Sequence, residues 1–336
     1  MSSRLRFTGK PDIPFRRSTG GKWWRQQPTF PDADPALIDA ALNWSQQLPS
    51  GNWYAFAASR AVRSGRPFGT TVHGIEIVAW RDRDGALRVG PGACPHLGAP
   101  LATGHVENGT LICRWHGLRI RADGTPHWCP FPSYDDGVLA WVRLDAVGGQ
   151  TPTETPVIGA RPEDTRLHGV TRVVGICEPV DIIANRLDPW HGAWFHPYSF
   201  THLTVTRTPP REGIDEDNHR FGLSVTFRLT RDFGVPVEAE FTCPDPRTIV
   251  MRIIAGEGAG SVVETHATAL GQGPDGRPRT AVIEAVIAYS DRPGFRHTHR
   301  AVPLLRPLIN RASARLWRDD LAYAERRYRL RTRGSV

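Results

Sequence analysis

Two sets of residues in this 336-residue chain have the types and spacing to hold metal. The first is Cys94-x-His96, sixteen residues, then Cys113-x-x-His116. Two thiolates and two imidazoles can close a tetrahedral shell around zinc. They can equally hold a [2Fe–2S] cluster, with both cysteines on one iron and both histidines on the other. The spacing favours the cluster, because zinc modules usually group like ligands and each pair here mixes one cysteine with one histidine. Gly98 and Gly117 follow the two pairs, where tight turns would bring backbone N–H groups toward cluster sulfurs. Replacing two thiolates by neutral histidines raises the reduction potential, which suits a one-electron relay. Cys129, Cys177 and Cys243 lie outside the pattern and read as small buried residues.

The second set is Asp188-x-x-His191-x-x-x-x-His196, within EPVDIIANRLDPWHGAWFHPYSF at 178–200. The stretch reads as a helix, on which Asp188 reaches the ring of His191 at i+3. Pro197 disfavours further helix, so the chain breaks at His196 and turns its ring inward. Two converging histidines need one carboxylate to complete a facial triad, which leaves positions on ferrous iron open for dioxygen. LWRDDLAYAERRY offers Asp319, Asp320 and Glu325. At about 100° per residue, Ile309, Ala312, Leu316 and Tyr323 share one helix face, with Asp320 near its middle and Asp319 at its edge. A carboxylate on a buried stripe needs a partner to offset desolvation, so Asp320 is preferred over Asp319 as third ligand. The alternative is that both acids are solvated and pair with Arg315, Arg318 or Arg326.

Positioning these residues requires two kinds of scaffold. DADPALIDAALNWSQQL reads as a helix with Asp34 as N-cap and Pro35 at its first position, inside an N-terminal extension over 1–50. Short alternating strands such as NWYAFAASRAV, TTVHGIEIVAWRD and GVLAWVRLD make 51–146 a small all-β unit. A Gly/Thr/Pro-rich linker spans 147–160. From 161 to 336, seven strand-like segments predict an antiparallel sheet, closed by a long helix over roughly PLLRPLINRASARLWRDDLAYAERRY. The fold class is therefore α+β, and a curved sheet wrapped around that helix leaves a natural cavity. Trp190, Trp194, Phe195, Phe200 and Phe241 read as core before cavity wall.

Of 42 basic residues only Lys10 and Lys22 are lysine, and the formal charge is +8. The arginines are scattered, without a basic block interleaved with aromatics, so nucleic acid is not expected as a partner. The densest run, ERRYRLRTR, reads as a solvated helix end, and the charge suits an acidic redox partner better. No run reaches the roughly 18 apolar residues of a membrane span. MSSRLRFTGKPDIPFRR has no apolar core, and Arg16-Arg17 precedes no hydrophobic run, so a cytoplasmic chain with reduced thiols is expected.

CPHLG and CRWHG resemble the two cluster-binding loops of the Rieske domain, and NRLDPWHGAWFH resembles the N-x-x-D-P-x-H-x-x-x-x-H element of Rieske non-haem iron oxygenases. The resemblance runs from residue 51 to about 330, with both domains in the family's order. It implies a Rieske [2Fe–2S] domain followed by a helix-grip, START-like catalytic domain, as in the alpha subunits of ring-hydroxylating oxygenases. It implies that His191 and His196 bind mononuclear Fe(II) with a carboxylate on the C-terminal helix, where the family's D-x-x-x-x-E fits Asp320 with Glu325. Asp188 would be the acid joining His191 to the partner subunit's His116, and Asn185 a polar residue near the iron. Such enzymes hydroxylate, dihydroxylate or dealkylate hydrophobic substrates with dioxygen. The implied assembly is a head-to-tail homotrimer. No nicotinamide or flavin motif is visible, so electrons would come from a separate reductase, directly or through a ferredoxin. Two rivals remain: an electron-transfer protein whose second domain only binds a ligand, and a zinc-stabilised binding module.

Overall fold

The computed structural model describes residues 16–17 and 23–333. The reading of the first fifteen residues, which bears on export, lies outside the described residues. Among those described, no helix is long and apolar enough to cross a membrane.

Three small antiparallel sheets occupy residues 53–143. Trp53–Ala58 pairs with Leu139–Arg143, which also pairs with Ser133–Asp135. Phe68–Val72, Ile75–Arg81 and Leu87–Pro91 form a second sheet. Its first hairpin turns on His73 and Gly74, at φ 49° and 80°, the left-handed pair that a two-residue loop requires. The third sheet joins His105–Glu107, Thr110–Ile112 and Arg119–Ile120. Trp80, Leu101, Leu111, Ile120 and Trp128 pack beneath it and enclose Cys94 and Cys113.

Beyond residue 160 one antiparallel sheet dominates. Across it the strands run His168–Gly175, Pro278–Ile287, Val262–Gln272, Thr248–Gly256, Phe233–Asp245, Phe221–Arg228 and Phe200–Arg207. All strand segments expected from the alternation are present. Arg16–Arg17 adds a short pairing to Phe233 and Gly234. The C-terminal helix, Val302–Thr332, packs on the sheet against His168–Gly175 and Pro278–Ile287 and buries Ser313, Trp317, Asp320 and Ala324. Trp53, Ala55 and Trp141 of the first unit pack directly on Ala281, Ile283, Ala285 and Ile287 of the large sheet. Arg161 adds a buried clamp, donating to Glu264 at 2.6 and 2.7 Å and reaching Asp136 at 3.1 Å. Burial alone would raise the Glu264 carboxyl. The hydrogen bonds from Arg161 and His266 outweigh it and hold the group down at about 2.

Three local expectations need correction. The stretch expected as one helix through His196 is three pieces: Pro179–Arg186, a 3-10 turn Pro189–His191, and Gly192–Phe195. Pro189 is the reason, since it has no N–H and excludes helical backbone at Asp188. Cys129 is exposed, whereas Cys177 and Cys243 are buried as expected; the neighbouring Trp128, 2% exposed, takes the inward position instead. The basic tail is not simply solvated. Arg327 and Arg331 each donate to the fully buried Asp181, at 2.8 and 2.9 Å. The described residues 23–50, whose packing the sequence left open, lie against the second domain. Asp34 accepts from Ala36 N at 3.0 Å to cap Pro35–Ser45, and Ala41 and Leu42 enter the large core.

Candidate metal centres

Cys94 and Cys113 sit at equivalent points of two matched loops. Gly98 N donates to Cys94 O at 2.8 Å and Gly117 N to Cys113 O at 3.0 Å. Cys94 N and Cys113 N donate to Ala99 O and Leu118 O at 2.8 and 2.9 Å. Gly98 and Gly117 both have φ 73°, which side chains rarely adopt. The cysteines are buried, at 3% and 2% exposure, while His96 and His116 stand exposed at the tip. The two imidazole rings lie 4.8 Å apart, edge to face. Burial pushes the Cys94 thiol up, and the adjacent Cys113 adds to the effect; a metal would stabilise the thiolates. Two buried sulfurs backed by N–H-rich turns, with two histidines outermost, fit a [2Fe–2S] cluster. Leu97 and Trp115, 63% and 55% exposed, flank those histidines with apolar surface.

The second centre forms where the broken helix meets the C-terminal helix. His196 Nε2 and His191 Nε2 lie 2.9 and 3.2 Å from the same Asp320 oxygen. Among the described residues this is the one group of three potential ligands whose donor atoms fall within 4.8 Å of one another. Ligands about 2.1 Å from one ion at right angles lie about 3 Å apart, so the spacing fits a facial triad. Asp320 is 1% exposed. Burial alone would raise its carboxyl, but the His191 and His196 hydrogen bonds outweigh that and keep it well below the ordinary carboxylate range. Asp319 faces the opposite edge of His196: it lies 3.6 Å from Nδ1, accepts from the Tyr198 hydroxyl at 2.6 Å, and its side chain is 41% exposed. Glu325 accepts from Ile176 N at 2.9 Å and is not among the ligand group.

The surroundings aim both rings. His191 Nδ1 donates to the Asp188 carbonyl, which leaves Nε2 as the free donor atom. His196 Nδ1 faces Tyr198 Oη at 3.4 Å. The Asp188 carboxylate accepts from Trp190 N at 3.1 Å and Tyr323 Oη at 3.4 Å, and lies 3.7 Å from His191 Nδ1. Asn185 Nδ2 donates to Asp320 at 3.3 Å, and its Oδ1 is buried with no protein partner. That orphaned acceptor fits a site that takes up a further group. Among the described residues no hydrogen bond, ion pair or ring contact joins His96 or His116 to Asp188 or His191.

A cavity of about 290 Å³ opens on the triad, walled by Phe200, Leu203, Val225, Phe227, Phe241 and Met251. Phe200 is cavity wall, Phe241 is buried core that also faces the cavity, and Trp190 is core as expected. On the other side of His191 lies a separate surface pit formed by Trp23, Trp194, Phe195, Pro197 and Tyr323. His191 therefore separates an interior apolar cavity from an exterior apolar surface. Arg186, Glu284 and Ser313 also line the cavity, and sequence reasoning passed over them. The available signal for Glu284 was a single acid at an inward position of RTAVIEAVIAYS.

Residues 52–139 match the family model described as "Rieske [2Fe-2S] domain", and residues 147–335 match the one described as "Domain of unknown function (DUF5914)". The chain is 35% identical to flavonoid 8-hydroxylase 2 of Ocimum basilicum over 105 residues, 31% of this chain and 19% of that protein. It is 27% identical to the oxygenase component of dicamba O-demethylase from Stenotrophomonas maltophilia over 163 residues, 43% of this chain and 46% of that one. The crystal structure of dicamba monooxygenase bound to dicamba superposes with a TM-score of 0.57 at 18% identity, covering 85% of this chain and 89% of that one. That likeness establishes the fold. Several curated relatives are matched over less than a quarter of their length, at 16%, 19% and 22%. The chain belongs to the family described as Domain of unknown function (DUF5914), carried behind a Rieske [2Fe–2S] domain on the two-domain fold of the Rieske oxygenases.

Proposed function

We propose that this chain is the terminal oxygenase of a multicomponent system, taking electrons through a Rieske cluster to a mononuclear ferrous site and using dioxygen to oxidise a hydrophobic substrate. The observation that carries the reading is Asp320, which brings both histidine Nε2 atoms within 3.2 Å of one buried oxygen beside an apolar cavity. Cys94, His96, Cys113 and His116 would hold the cluster, and His191, His196 and Asp320 the iron. When bound, the cluster would supply a one-electron store at raised potential, and the ferrous iron open positions for dioxygen.

The chain's own residues do the rest. The Asp188 carbonyl fixes the His191 tautomer, and Tyr198 braces His196 from its far side. Asn185 holds Asp320 by its amide. The aromatic and aliphatic wall excludes water and holds the substrate beside the triad. Asp188, reached by Tyr323 and close to His191, is the bridging acid of the electron path. The partner subunit's His116 would approach through the outer pit, where the exposed Leu97 and Trp115 of a second copy find apolar surface. Such an arrangement repeats head to tail and closes as a homotrimer. With no nicotinamide or flavin motif in the chain, a reductase, directly or through an acidic ferredoxin, delivers the electrons. Five unpaired thiols suit the cytoplasm.

The test is His191→Ala and Asp320→Ala on protein loaded with ferrous iron. Both variants should keep sulfide and the cluster's reduced spectrum, lose one iron per chain, and lose dioxygen-dependent consumption of the cluster's electrons. Electron consumption at the parent rate in either variant would refute the ligand assignment.

A further inference from the structure

The cavity wall carries charge in an uneven way. Its carboxylates are all supplied with hydrogen-bond donors. Asp320 accepts from the two histidines and Asn185, and Asp188 from Trp190 N and Tyr323. Glu284, 4% exposed, accepts from Ser313 Oγ and Trp317 Nε1, both at 2.6 Å, and from Thr265 Oγ1 at 3.3 Å. Arg186 is the opposite case. Its guanidinium lies over the rings of Phe241 and Trp317, 5.6 and 5.8 Å from their centroids. Its Nε is fully buried and has no hydrogen-bond partner. Among the described residues nothing accepts a hydrogen bond from this side chain, and no carboxylate pairs with it.

A guanidinium that lies over aromatic rings keeps its N–H fork for other partners. Arg186 is partly buried as a residue, and leaving its buried Nε without an acceptor in an apolar wall is costly. Other arginines of the chain do find acceptors, as Arg161, Arg327 and Arg331 show. Arg186 also sits on the site side of its helix, next to Asn185, whose amide touches Asp320.

We infer that Arg186 is a specificity residue that pairs with an anionic group of the substrate. The substrate class is then an organic carboxylate with an apolar body, anchored at Arg186 and presented to the triad by Phe200, Phe227 and Met251. This inference rests on the oxygenase reading for what happens to the molecule, but not for its binding.

The test uses matched probes on iron-loaded protein at neutral pH: 2-naphthoate against 2-acetylnaphthalene, and decanoate against 2-undecanone, by titration calorimetry. The parent should bind at least one carboxylate about tenfold or more tighter than its ketone, as one charge-assisted fork implies. Arg186→Met should bring the two within about threefold, chiefly by weakening the acid. The ketone's affinity reports whether the cavity survives the change. Should R186M bind neither probe, Arg186→Lys carries the test, because it keeps the charge, loses the fork, and should lose part of the preference. The inference is overturned if no carboxylate outbinds its ketone on the parent, including the case in which neither binds. Full preference surviving in the variants overturns it too. Iron content measured on the same samples separates the two readings. Acid preference without mononuclear iron would leave the anion site and remove the oxygenase; iron without preference would do the reverse.

Discussion

Asp320 satisfies three demands at once: it lies on the buried stripe of the C-terminal helix, faces two imidazole nitrogens, and borders the cavity. The 100° periodicity favours it over Asp319, because a one-residue step rotates the carboxylate to the edge, where it meets Tyr198. Asp319→Asn should therefore keep the mononuclear iron while Asp320→Asn loses it, as metal analysis per chain will show. Asp188→Asn should keep both centres but slow electron transfer between them, read by stopped-flow oxidation of the reduced cluster. Loss of the cluster in that variant would contradict the role given to Asp188. Arg186 was not legible from sequence, since its meaning depends on the absence of an acceptor, and only the folded neighbourhood reveals that.

The elements were mostly written in the alternation, and the loops in their glycines. Gly117 has open space around its missing Cβ, so the obstacle to a side chain there is its φ of 73°. Gly117→Ala should cost about 1–2 kcal/mol in the loop and lower the sulfide content of purified protein. The break at Asp188-Pro189 was visible as a proline, yet the helical period of the flanks concealed it; the 3-10 turn it forces is what turns His191 toward Asp320. The end of the C-terminal helix was misjudged because Asp181 lies far away in sequence. Asp181 is completely buried, caps its own helix, and accepts from Arg327 and Arg331. Asp181→Ala should cost about 2–3 kcal/mol, somewhat less than a fully buried pair because both arginines are partly solvated, and denaturant unfolding will measure it.

At the scale of the molecule, the Arg161–Glu264–Asp136 clamp joins the two domains just beyond the linker. Long-range pairing of this kind leaves no local mark in sequence, where Arg161 is one arginine among many. The folded Glu264 carboxyl is held at about 2, below its ordinary 4.5. Its contribution is therefore complete above about pH 4.5 and is lost as pH falls from there toward 2. The stability gap between parent and Glu264→Gln should shrink over that window, and a gap independent of pH would contradict the assignment. The central claim is that one chain carries both centres. The most direct measurement is to purify it anaerobically, load it with ferrous iron, and count iron and acid-labile sulfide beside the reduced-state EPR spectrum. The account predicts about three irons to two sulfides per chain with a Rieske signal. About two irons to two sulfides would contradict it, leaving an electron carrier with a ligand-binding domain.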